Sequence, residues 1–162
     1  MSDLRSLYQE VLLDHYRRPR NFGALAHPTG RAEGHNPLCG DRVTIEVGVE
    51  GGRLAEIGFQ GSGCAISIAS ASLMSEALRG ATLEDVARLS ERFRAALTTP
   101  GGPPPTSEDL GKLEALVGVR EFPMRVKCAT LAWHALAAAL EAPGGAASPA
   151  PSPLPSPAVS TE

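Results

Sequence analysis

Apolar residues recur every three or four positions from Leu4 through Leu7, Tyr8, Val11 and Leu12 to His15, which predicts a first helix from Asp3 to Arg18. Ser2 or Asp3 can cap its start, and Pro19 stops it. The period then shortens to two. Val43, Ile45, Val47 and Val49 alternate with other residues over Arg42 to Glu50, "EGG" turns the chain, and Ala55, Ile57 and Phe59 alternate again. A β-hairpin with one buried face is predicted. After "QGSGC" the helical period returns from Ala65 to Arg79, ended by Gly80, with many Ala and Ser that allow a neighbour to approach closely. Thr82 and Asp85 in "TLED" form a capping box that opens a further helix through Leu97.

The segment "TTPGGPPPTS" loses backbone donors to its prolines and order to its glycines, so it reads as a loop. A short helix from Glu108 to Val117 follows, with Ser107 as its cap. Phe122 to Lys127 reads as extended, and Cys128 to Glu141 as a last helix. From Ala142 the chain is Pro, Ala, Ser and Gly with almost no large apolar group, too little to offset the entropy of ordering. The expectation is an α+β fold, a small antiparallel sheet packed against helices, in one domain over 1–141 with a disordered tail over 142–162.

With 15 basic and 18 acidic residues the net charge is −3, which gives no electrostatic footprint for nucleic acid or an anionic membrane. No apolar run reaches the ~20 residues of a membrane span, and "MSDLRSLYQE" lacks the apolar core of a secretory signal. The reading is a cytoplasmic protein. In that reducing setting three scattered cysteines point to metal binding or chemistry rather than a disulfide framework.

Cys39 sits in "NPLCGDR", where Pro37 and Gly40 permit a tight bend before a strand. Cys64 and Cys128 each stand where a turn or extended segment enters a predicted helix, and a helix N-terminus favours thiolate over thiol. Three thiolates and the Asp41 carboxylate supply the four donors of a closed tetrahedral zinc site. The carboxylate suits a borderline metal least, so it is the ligand expected to leave first. Each feature also has an ordinary reading: a single cysteine is often a small buried hydrophobe, and Asp41 can serve as a turn residue. Spacings of 25 and 64 residues match no short metal motif.

His134 lies six residues after Cys128, about 240° round a helix, and cannot share an ion with it. His15 falls on the apolar face of the first helix, His27 looks like loop, and His35 is a spare donor ranked below Asp41. Arg125 and Lys127 can offset the negative charge of a thiolate-rich site, or else guard a solvated strand edge. Arg17, Arg18 and Arg20 in "DHYRRPRN" form a basic cluster that could dock an acidic partner or simply solvate a helix end.

Taken together, "DHYRRPRNFG", "NPLCGDR", "GSGCAISIASASLMSEALRG" and "FPMRVKCATLAWHAL" resemble the NifU N-terminal-like iron-sulfur assembly proteins, in particular the SufU type, over about Leu4 to Leu140. The resemblance implies a compact α+β fold in which Cys39, Asp41, Cys64 and Cys128 meet at one exposed site. Lys127 stands where IscU-type scaffolds carry a histidine, and the long segment between the second and third cysteines also favours the SufU type. For that type the resemblance implies bound Zn2+ and acceptance of persulfide sulfur from a SufS-type cysteine desulfurase, with Cys39 as acceptor, alongside other iron-sulfur assembly proteins. On this expectation Cys39 stays a protected, metal-held thiolate until the docked desulfurase supplies a replacement ligand. The alternative is a scaffold on which a transient iron-sulfur cluster is assembled and passed to apoproteins.

Overall fold

The computed structural model describes residues 2–37, 40–98 and 110–141. Helix α1 spans Ser2–Arg17, followed by strands β1 (Gly30–Asn36), β2 (Asp41–Glu50) and β3 (Arg53–Ser62), then α2 (Ala65–Leu78) and α3 (Leu83–Thr98). A 3-10 helix over Gly111–Glu121 and a final helix, α4 (Pro123–Glu141), complete the described chain. The predicted loop over 98–107 beyond Thr98, its Ser107 cap and the predicted tail from Ala142 lie outside the described residues.

The three strands pair antiparallel in the order β1-β2-β3. Alternation along β2 and β3 places Val43, Ile45, Val47, Ile57 and Phe59 on one buried face, with Ile45 opposite Phe59 and Val47 opposite Ile57. The predicted hairpin with one buried face is therefore present. β1 was not predicted; it pairs along its whole length with β2, from Gly30 opposite Val47 to Asn36 opposite Asp41. On the far side of β3 the chain leaving α1 closes the edge: the Gly23 N–H donates to the Phe59 carbonyl (2.7 Å) and the Phe59 N–H to the Asn21 carbonyl (3.1 Å). Phe22 stands edge-on against Phe59, ring centroids 5.2 Å apart.

Helix α4 packs on β1 and β2, and α2 packs between α4, β3 and α1. This explains why α2 is buried around nearly its whole circumference and carries small residues. Its buried serines are all hydrogen-bonded, as burial of a hydroxyl requires. Ser70 donates to the Ala129 carbonyl and accepts from the Trp133 indole N–H at 3.1 Å. Phe93 of α3 stacks on Trp133 with centroids 4.5 Å apart, joining α3 to α4. Thr82 caps α3 as predicted, its hydroxyl oxygen accepting the Asp85 N–H at 3.1 Å.

Two expectations are corrected. Of the helix predicted over Glu108 to Val117, Glu108 and Asp109 lie outside the described residues and Leu110 is helical; from Gly111 the chain is a 3-10 helix rather than an α-helix, and it runs on to Glu121. Phe122 to Lys127 is not an extended segment: α4 starts at Pro123, whose fixed φ and missing N–H suit the first helical position. The alternation of Arg125, Val126 and Lys127 is the opening of a helix rather than a strand, which also removes the strand-edge reading of the two cations.

His15 is buried, with Nδ1 at 2.6 Å from Ser72 Oγ and Nε2 at 3.6 Å from Glu76 Oε1. Burial above all, then Arg20, holds this ring below its ordinary 6.5; Glu76 opposes, Lys112 lowers and Asp14 opposes again. His134 is held low by burial and by Arg94. Below pH 6.5 the unfolded chain therefore binds protons that the folded protein resists, so the stability these rings contribute is complete above 6.5 and is lost as the pH falls through it toward their folded values. Urea unfolding should show stability declining from about pH 7 to about pH 5, a decline that His15→Gln makes shallower. An equally steep decline in the variant would remove His15 as a source.

Candidate metal centre

Asp41 is the first residue of β2 and is fully buried. It sits opposite Asn36 at the mouth of the β1-β2 connection, where the Gly40 N–H donates to the Asn36 carbonyl at 2.8 Å. Gly40 has φ +75°, a left-handed conformation that glycine adopts at little cost, so the bend read from the sequence is present. Cys39 itself lies outside the described residues.

Cys64 is the N-cap of α2 in an extended conformation, and its N–H donates to Asp41 Oδ1 at 2.9 Å. The carboxylate therefore caps, from another strand, the positive end of α2. Gly63 makes this approach possible, because a Cβ there would stand 2.5 Å from Asp41 Oδ1 and 2.9 Å from its Cγ. Cys128 is buried on α4. It is the sixth residue of that helix, past the first turn in which the helix field acts, so the expectation that its thiolate is favoured by a helix N-terminus is corrected. Cys64, by contrast, does stand at a helix N-terminus.

One ligand atom each from Asp41, Cys64 and Cys128 lies within 4.8 Å of the others. A tetrahedral zinc site with bonds of about 2.3 Å to sulfur and about 2.1 Å to oxygen sets neighbouring donors about 3.6 Å apart. Cys64 Sγ and Asp41 Oδ2 are 3.7 Å apart. Spacing and donor set fit that ion, which would also compensate a fully buried carboxylate.

Sequence reasoning did not find Ser67. Buried on the first turn of α2, its hydroxyl donates to Asp41 Oδ2 at 2.5 Å, lies 3.3 Å from the Cys128 carbonyl oxygen and 3.8 Å from Cys64 Sγ. The available signal was its spacing of three from Cys64, which puts both on one helix face.

The remaining candidates do not join this cluster. His35 is exposed on β1 while its neighbour Asn36 is buried, because successive strand residues face opposite sides. Arg125 is exposed and Lys127 half-buried on the opening turns of α4, the latter adjacent in sequence to Cys128. In the basic cluster, Arg18 and Arg20 reach Asp14 at 2.9 and 2.7 Å, lowering the Asp14 pKa, while Arg17 is exposed. Among the described residues no helix is long and apolar enough to cross a membrane.

Comparison with known proteins adds to this geometry. The model of the NifU-like N terminal domain matches residues 7–129. The zinc-dependent sulfurtransferase SufU of Bacillus subtilis (strain 168) is 42% identical over 135 residues, covering 83% of this chain and 90% of that protein. The iron-sulfur cluster assembly scaffold protein IscU of Streptococcus pyogenes serotype M1 is 38% identical over 141 residues, 87% of each chain. The crystal structure of FiSufU from Fervidobacterium islandicum AW-1 superposes with a TM-score of 0.75 at 29% identity, covering 84% of this chain and 98% of that one.

Proposed function

The chain belongs to the NifU-like N-terminal domain family, and on that premise we propose that it serves iron-sulfur cluster assembly as a zinc-bound acceptor of persulfide sulfur from a cysteine desulfurase. The observation that carries this reading is the meeting of an Asp41 oxygen and the Cys64 and Cys128 sulfurs within 4.8 Å, brought from a strand and two helices. Cys39 would complete the donor set. It is two residues from Asp41, and chain geometry alone keeps the two α-carbons within about 7 Å. Zinc bound there supplies a redox-inert centre that keeps thiolates deprotonated at neutral pH.

In the proposed transfer the Cys39 thiolate attacks the terminal sulfur of the desulfurase persulfide. A new S–S bond forms at Cys39 as the old one breaks, and the electron pair leaves with the desulfurase cysteine as its thiolate, so no external oxidant is required. Three thiolates, one carboxylate and a divalent ion sum to a net charge of −2, which Arg125 and Lys127 at the start of α4 offset. The same ligands also suit the scaffold reading, which the likeness to proteins named IscU supports.

Protein purified without oxygen should contain one zinc per chain and no labile sulfide; iron with sulfide would establish the scaffold reading instead. Stripping the zinc with a chelator should leave the far-ultraviolet circular dichroism intact. The core supports this expectation: a dozen large side chains, from Ile45 and Phe59 to Leu131 and Leu136, are fully buried, at about 1.5–3 kcal/mol each. Unfolding on chelation would show that the metal is structural.

A further inference from the structure

Both oxygens of Asp41 are held from the same turn of α2: Oδ1 by the Cys64 N–H at 2.9 Å and Oδ2 by the Ser67 hydroxyl at 2.5 Å. The second distance is that of a charge-assisted O–H···O⁻ bond, so the single hydroxyl proton of Ser67 goes to the carboxylate rather than to the Cys128 carbonyl oxygen at 3.3 Å. Ser67 Oγ and Cys64 Sγ lie at 2.5 and 3.7 Å from the same oxygen, Asp41 Oδ2. The Cys64 thiol donates to that oxygen, and the Ser67 bond to the same oxygen opposes any rotation of the carboxylate away from Cys64.

We infer that Ser67 is a positioning residue that fixes Asp41 as a resident metal ligand. The inference rests on the metal reading above and deepens it. Softness alone makes the carboxylate the first ligand to leave. The burial of Asp41 and its two donors set the opposite order, because a departing Asp41, itself without exposed surface, would have to break both bonds. Ser67 touches neither substrate nor sulfur being transferred in this scheme; it acts through Asp41.

The test uses the full chain and its Ser67→Ala, Asp41→Ala and double variants, loaded with zinc or cobalt(II). Competition with a chromophoric chelator should show Ser67→Ala weakening zinc about 10- to 100-fold, the range typical for groups that orient a ligand. The visible cobalt bands should shift, and the rise in Tm on adding zinc should shrink. In the Asp41→Ala background the same substitution should cost less than about threefold, because the residue through which it acts is gone. Zinc affinity within twofold of the parent and an unchanged cobalt spectrum would overturn the inference, as would a full additional loss in the Asp41→Ala background. A parent protein that takes up neither metal defeats the underlying metal reading, an outcome distinct from both.

Discussion

Replacing Cys39 by Ala is expected to abolish sulfur uptake from a cysteine desulfurase, leaving no persulfide on the chain, while α2, α4 and the sheet remain folded. The size of the effect follows from the chemistry: the acceptor forms the new S–S bond, and the Asp41 carboxylate cannot hold sulfane sulfur in its place. Cys64 and Cys128 are poor substitutes because they sit half-buried and buried, against α2 and within α4. The measurement is transfer of sulfur from the desulfurase, read by mass spectrometry as an adduct of one sulfur atom that is lost on reduction. Uptake at the parent rate would remove Cys39 from its proposed role and move the search to the other two thiols.

The second large effect concerns a residue without a functional group. A methyl at position 63 would stand 2.5 Å from Asp41 Oδ1 and 3.0 Å from Asp41 Cβ, too close to be tolerated in place. The side chain that must yield is short, buried and anchored, so Gly63→Ala should swing Asp41 away from Cys64 and break its bond to the Cys64 N–H. Zinc affinity should fall on the order of 100-fold, comparable to losing the orientation of a ligand. Chelator competition on the purified variant measures this directly, with circular dichroism as the control for folding. Affinity close to that of the parent would mean that Asp41 is not a ligand or that the backbone absorbs the methyl by shifting.

The parts of the fold legible in the sequence are those where burial writes a period. Val43, Ile45 and Val47 alternate because β2 is central and one of its faces meets α4. β1 escaped because its buried positions are Gly30, Gly34 and Asn36: an edge strand under a helix fills its inner face with small groups, and pairing is dictated by β2 rather than by its own side chains. The start of α4 was misjudged for a related reason, since "FPMRVKC" alternates charge over a stretch too short to separate the two periods, and Pro123 marks a beginning rather than a break. For the site, donor chemistry singled out Cys39, Asp41, Cys64 and Cys128, and the fold brings together the three of these that lie among the described residues. Ser67 left no comparable trace, because one serine among the many of α2 looks like any other until its partner across the fold is known.

The short run after α1 has a consequence for how this protein keeps company. By giving its own backbone bonds to Phe59, the Asn21–Gly23 segment occupies the middle of the outer margin of β3, where a stray strand from a neighbour would otherwise zip on. On the proposed reading, a carrier that must meet other proteins repeatedly and let them go gains from this, since the covered stretch of that margin is closed to indiscriminate main-chain pairing between its own copies.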